Sequence, residues 1–258
     1  MLPDMDMFSQ ALEIAIADLS RVRSENDRLP RASRAALARL RETRPAPHES
    51  VGRDKVARLR EMEALVAGCT KCPHLAHTRT QTVFGIGNPE AEVMFIGEAP
   101  GADEDRQGEP FVGRAGQMLT KIIVAMNLSR DDVYIANVLK CRPNMPAGET
   151  GNRPPTPAEM ATCLPYLTKQ IGIIRPKVLI ALGATAVEGL LQVREPMGKM
   201  RGRWHTWGET PLMITYHPSY LLRNQKDNTE KRKVWEDMLL VLERLEHPIS
   251  PKQRKYFL

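Results

Sequence analysis

The chain has 258 residues, 37 Lys and Arg against 31 Asp and Glu, and a formal net charge of +6. That length holds one α/β domain of ordinary size plus an appendage, with a real hydrophobic core. No apolar run approaches a membrane span, and the opening residues MLPDMDMFSQ carry acids where a secretory signal carries Lys or Arg, so the expectation is a soluble cytoplasmic protein rather than a secreted or membrane one.

In chain order, residues 4–22 read as an amphipathic helix with Phe8, Leu12, Ile16 and Leu19 along one face. From Arg23 to Arg53 the composition turns to Arg, Ala, Pro and Ser and reads as a flexible linker, which divides the chain into an N-terminal extension (1–52) and a main domain (53–258). Residues 1–50 carry eight charges of each sign, so the positive excess belongs to residues 51–258. It gathers in MGKMRGRWH (197–205) and between Lys226 and Lys233, a pattern that suits a polyanionic partner.

The segment DKVARLREMEALVAG predicts a helix with Val56, Leu59, Met62 and Val66 on one side, leading into Cys69. Four short apolar runs come after it, VMFIG (93–97), VYIANV (133–138), KVLIALG (177–183) and LMITYH (212–217). Helical stretches separate them: GQMLTKIIVAM, TPAEMATCLPYLTKQI and ATAVEGLLQ, with KRKVWEDMLLVLERL after the last run. This alternation predicts an α/β fold with a central, mostly parallel four-stranded sheet covered by helices on both faces. Thr156 and Glu159 form a capping-box pattern with Pro157 at the first helical position, and Pro165 is expected to kink or shorten that helix. Ligands of such sheets bind where strands end. GEAPG follows the first run, NVLKC the second and HPSYLLR the fourth, so three loops are expected to converge on one pocket.

The chain has four cysteines, Cys69, Cys72, Cys141 and Cys163. A CxxC pair with two distant thiols suits one shared metal centre, and the spacing does not choose between zinc and an iron-sulfur cluster. In a reducing compartment thiols favour metal ligation over disulfides.

The strings CTKCPH, GEAPGADED, GEPFVGRAG, NVLKCRP, GNRPPTP, the later Cys163 and HPSYLLR, in this order, resemble the family 4 uracil-DNA glycosylases across about residues 55–245. Taken singly, Phe111 reads as core, Asn137 as a turn residue and Leu221 to Arg223 as the first turn of a helix; order and combination carry the likeness. The resemblance implies a uracil-DNA glycosylase-like three-layer fold and one 4Fe-4S cluster held by Cys69, Cys72, Cys141 and Cys163. It implies a uracil pocket lined by Gly97, Glu98 and Ala99, with Phe111 stacking on the base, Asn137 reading its edge and His217 at the O2 side. Glu98 or Glu104 would serve the sugar cation or the attacking water, and Leu221, Leu222 and Arg223 would form a wedge into the duplex.

The expected partner is uracil-containing DNA, single- or double-stranded, bound by a monomer, with residues 1–50 as a possible arm for a protein partner. The expected reaction is hydrolysis of the N-glycosidic bond to leave an abasic site, without a lyase step. NMPAGET, inserted between NVLKCRP and GNRPPTP, departs from the family pattern, as does the N-terminal extension. No KRRIH-like segment follows NVLK, and Glu98 favours family 4 over family 5. The competing readings are a zinc-bearing, non-catalytic nucleic-acid-binding module and a glycosylase of the same fold acting on another deaminated base, such as hypoxanthine or xanthine.

Overall fold

In the computed structural model the described residues are 47–258 except 147, 150 and 225–227, with side chains from residue 54 onward. The helix read over residues 4–22 lies outside them.

The order of elements is α1 (Pro47–Ala67), α2 (Pro73–Thr78), β1 (Ile86–Gly87), β2 (Val93–Gly97), α3 (Ala102–Gln107), α4 (Arg114–Ala125), β3 (Tyr134–Asn137) and α5 (Pro157–Ile174). Next come β4 (Val178–Leu182), α6 (Ala184–Leu191), α7 (Met197–Met200), β5 (Trp204–Trp207), β6 (Thr210–Thr215), α8 (Pro218–Arg223), α9 (Asn228–Arg244) and α10 (Pro251–Arg254). α1 begins at Pro47, so the last residues of the stretch read as a linker are helical. Proline suits a first turn because the N–H it lacks would have no partner there.

The sheet has six strands in the order β1-β3-β2-β4-β6-β5, which corrects the expected four. The four runs read from sequence are its parallel core, β3, β2, β4 and β6. The two additions, β1 and β5, pair antiparallel at the edges. β1 is only two residues and β5 is WHTW, so neither carries the apolar alternation that marks a strand in sequence.

The parallel strands are buried on both faces, as crossover helices require. Met94, Ile96, Leu179, Ala181, Leu212 and Ile214 face one core with Leu59 and Met62 of α1, Leu167 and Ile171 of α5 and Val187 of α6. The alternating set, Val93, Phe95, Val178, Ile180 and Met213, faces the other with Leu119 and Ile123 of α4 and Trp235 and Met238 of α9. A three-layer α/β/α architecture results.

α5 starts at the expected capping box: Thr156 Oγ1 accepts from the N–H of Glu159 at 3.2 Å, and Glu159 Oε2 accepts from that of Thr156 at 2.7 Å. The helix continues through Pro165 for 18 residues rather than stopping. Pro165 and Ala161, whose carbonyl loses its helical donor, are both exposed, so that carbonyl is open to solvent while Cys163, Leu167 and Ile171 keep the inner face buried.

Candidate active site

The sheet's connectivity diverges at β2, with β3 on one side and β4 on the other. Crevices beyond the carboxyl ends of strands at such a point are the usual ligand sites of open α/β sheets. A cleft of about 490 Å³ lies there, lined by residues that follow β2 (Glu98, Ala99), β3 (Asn137), β4 (Gly183, Ala184) and β6 (His217, Ser219). The three expected loops converge, and the turn after β4 adds a fourth. Asn152, Arg153 and Pro154 form another wall that the sequence reading did not assign.

Asn137, the last residue of β3, is 2 % exposed, and among the described residues its Oδ1 has no hydrogen-bond partner. Leaving a buried acceptor unpaired costs about 1–3 kcal/mol, so such an atom in a cleft wall is available to a ligand's donor. Gly97, at the end of the neighbouring β2, makes room for it. A Cβ there would stand 2.5 and 2.6 Å from two ring carbons of Phe111 and would collide with Asn137 Oδ1. Only glycine lets the strand end, the aromatic ring and the amide meet.

Phe111 is buried and lies in the left-handed region at φ 56°. Such a conformation costs about 1–2 kcal/mol in a residue with a Cβ and persists when its surroundings over-determine it. Arg130 donates from Nη2 to the carbonyl of Pro110 at 2.9 Å and from Nη1 to that of Phe111 at 3.3 Å. Glu104 Oε1 accepts from the N–H groups of Val112 and Gly113, each at 3.0 Å, and its Oε2 from that of Gly101 at 3.1 Å. Glu104, expected near the chemistry, therefore has both oxygens committed to the backbone of two pocket loops. Glu98 also lines the cleft, and burial raises its carboxyl above the usual range against an opposing hydrogen bond with Thr185.

His217 caps α8, and its ring centroid lies 5.7 Å from that of Phe111. Nδ1 faces the backbone N–H of Ser219 at 3.1 Å and its Oγ at 2.8 Å. A backbone N–H can only donate, so Nδ1 is the bare nitrogen and Nε2 carries the proton. Burial, reinforced by the charge of Arg223, pushes the ring down to about 4. At neutral pH it is thus an uncharged imidazole offering one N–H.

Arg223 lines the cleft, whereas Leu221 is 3 % exposed and packs inward. Inserting Leu221 into DNA, as the expected wedge requires, would empty its own buried site. The helical spacing of PSYLLR puts Leu221 and Leu222 on different faces, and Leu222 is only half-buried.

Cys141 and Cys163 pack with Leu75 and Leu139, with Cys72 and Tyr166 beside them, and all four thiols are free. Burial pushes Cys72 and Cys141 up and Cys163 to about 11, and neighbouring cysteines add to each rise. Three donors point at sulfur: Arg79 Nη1 to Cys141 at 3.0 Å, Tyr166 OH to Cys69 at 3.3 Å and the N–H of Lys140 to Cys163 at 3.3 Å. Donors of that kind suit metal-bound thiolates, whose charge they share. Among the described residues no three His, Cys, Asp or Glu side chains close on the position of a single ion. The sequence reading found the four thiols but not Arg79, Tyr166 or Lys140, which meet them only through the fold.

Residues 84–239 match the family described as the uracil DNA glycosylase superfamily. The chain belongs to that superfamily. Within it, the chain is 46 % identical to the type-4 uracil-DNA glycosylase of Thermotoga maritima over 67 % of this chain and 87 % of the relative. It is 42 % identical to the type-4 enzyme of Archaeoglobus fulgidus, over 61 % of this chain and 79 % of the relative. The type-5 enzyme of Thermus thermophilus is 28 % identical over 68 % of this chain and 90 % of the relative, so the type-4 branch is favoured. The matched superfamily region contains Asn137, His217, Phe111, Cys141 and Cys163, and begins after Cys69 and Cys72.

Proposed function

We propose that this protein removes uracil from DNA by hydrolysing its N-glycosidic bond. The observation that carries the reading is the unpartnered, buried Oδ1 of Asn137, in the wall of a cleft that His217 also lines. A base inside a duplex cannot reach such a cleft, so it must be rotated out of the stack first. The flipped ring then stacks on Phe111. The amide of Asn137 takes the N3–H at Oδ1 and donates to O4 from Nδ2. Cytosine presents the opposite pattern at both positions and would leave buried groups unpaired, which discriminates strongly.

As the bond to C1′ breaks, its electron pair goes to uracil and negative charge spreads onto O2. The Nε2–H of neutral His217 stabilises that charge as it forms, a contribution typically worth about 10²–10³ in rate. Water adds to C1′, and its displaced proton ends on the departing base. The products are free uracil and an abasic sugar. Glu98 is our choice for the acid on the sugar side, because Glu104 is spent on holding loops. Leu222 and Arg223 meet the DNA beside the cleft. The reaction is proposed to stop at the abasic site, without a lyase step.

Cys69, Cys72, Cys141 and Cys163 would hold one 4Fe-4S cluster, with Arg79, Tyr166 and the N–H of Lys140 donating to the sulfurs of Cys141, Cys69 and Cys163. When bound, the cluster ties together the segment before β1, the loop after Asn137 and α5, with no part in the bond-breaking step. Residues 53–258 are proposed to carry the activity as one domain in a cytoplasmic monomer, with residues 1–52 as an extension. Among the described residues no helix is long and apolar enough to cross a membrane.

The test is incubation with labelled oligonucleotides carrying one uracil, hypoxanthine, xanthine or thymine, followed by alkali to cut abasic sites. Cleavage only at uracil is expected, from the full chain and from residues 53–258 alike. Cleavage at hypoxanthine or xanthine instead would reassign the substrate, and loss in the shorter chain would overturn the division.

A further inference from the structure

Lys140 is 1 % exposed, a position at which charged side chains are almost always paired. Among the described residues no carboxylate forms an ion pair with it. Its Nζ instead donates to the backbone carbonyl of Asn137 at 2.9 Å and to Gln170 Oε1 at 2.5 Å. Gln170 is itself fixed, its Nε2 donating to the carbonyl of Phe84 at 3.0 Å and to Tyr134 OH at 3.3 Å. The backbone N–H of the same lysine donates to Cys163.

These bonds bear on one peptide unit. The carbonyl of Asn137 is held by Lys140 Nζ, and the N–H across that peptide bond, on Val138, donates to the carbonyl of Gly97 at 3.0 Å. A peptide pinned at both ends leaves the Asn137 amide only its two side-chain torsions. Asn137 lines the cleft, and among the described residues its buried Oδ1 has no competing bond to pull the amide aside. Nζ keeps at least two N–H donors as amine or as ammonium, so both bonds survive either state. An apolar residue of the same shape would leave the Asn137 carbonyl loose and unsatisfied.

We propose that Lys140 is a positioning residue: it orients Asn137 for reading uracil and joins that residue to the cysteine centre. The proposal rests on the uracil-excising reading of the cleft and adds to it a residue that never touches the base. Preorganisation of this kind matters because small misplacements of a binding group lower rates by large factors.

The experiment compares full-length wild type with Lys140→Met and Lys140→Gln. It reads iron content, Tm, single-turnover uracil excision and inhibition by free uracil. Lys140→Met is expected to keep its iron and bind uncleavable duplex within about 2-fold of wild type, while its uracil inhibition constant rises about 10-fold or more and its excision rate falls about 10–100-fold. Lys140→Gln retains an N–H donor for the Asn137 carbonyl and is expected within about 3-fold of wild type. Unchanged uracil inhibition in Lys140→Met, or equal losses in both variants, would overturn the role.

If Lys140→Met does not fold, Gln170→Leu asks the same question, since it removes the second acceptor and leaves the bond to Asn137. Its Tm should fall with uracil inhibition kept within about 2-fold; a 10-fold weakening would mean that general loosening governs the pocket and would overturn the proposal. Wild-type excision is the control. Its absence would overturn the proposed function itself, whereas its presence beside an unaffected Lys140→Met would overturn only the role of Lys140.

Discussion

The backbone N–H of Ser219 decides which proton His217 offers. By occupying Nδ1 it leaves the proton on Nε2, and burial pushes the ring down to about 4, below the 6.5 of a free imidazole. Between those values the unfolded chain binds a proton that the folded one does not, so stability rises with pH through that window. This contribution is fully present above 6.5 and is lost as pH falls towards 4. For activity, the expectation is a single-turnover rate with no limb from this ring between pH 5 and 8. A pH–rate profile of wild type beside His217→Asn checks it, the variant being about 10²–10³-fold slower. A limb near 6.5 that disappears in the variant would mean that the imidazolium does the work. His217 was legible as a site residue from the string HPSYLLR, but its charge was not, because burial and the Ser219 contact come only with the fold.

The loop Glu109–Gly113 and the helices around it form the next scale. Its left-handed Phe111 is retained by Arg130, by Glu104 and by Gly116 on α4, where a Cβ would collide with the Phe111 carbonyl. Gly116→Ala should cost about 1–3 kcal/mol through overpacking, and it should weaken uracil inhibition because the ring is displaced. Arg130→Met should do the same more mildly. Thermal melts and inhibition by free uracil read both; a Gly116→Ala protein with wild-type Tm and uracil affinity would remove the clamp from the account. PFVG in sequence announces an aromatic beside glycine, but nothing local in it signals a strained backbone, since the restraining residues lie elsewhere in the chain. The burial of Leu221 is hidden in the sequence for the same kind of reason. Its neighbours Leu222 and Arg223 share its local composition, and only the packing of α8 shows which side chain turns inward.

Across the whole molecule, the parallel strands were readable because each is an apolar run ended by glycine, asparagine or histidine, and the C-terminal edge followed from the alternation with helices. The edge strands were too short or too polar to read, and the extra wall at Asn152 to Pro154 depends on how the loop after Cys141 folds back. The four thiols belong to segments far apart in sequence, so a metal centre held by them, as proposed, would contribute directly to folding. Purified protein should be brown with about four iron ions per chain. Stripping the metal should lower Tm by roughly 10 °C or more, given about 2–4 °C per kcal/mol for a domain of this size, with uracil excision falling in step. A colourless, zinc-loaded protein of unchanged activity would replace the cluster with zinc.

The most direct test of the account is single-turnover excision from an oligonucleotide with one uracil, beside a cytosine control, for wild type and Asn137→Leu. We expect wild-type cleavage at uracil alone, and a loss of about 10²-fold or more in a variant that stays folded, keeps its iron and binds uncleavable DNA normally. Near wild-type excision by Asn137→Leu would contradict the claim that the amide of Asn137 reads the base.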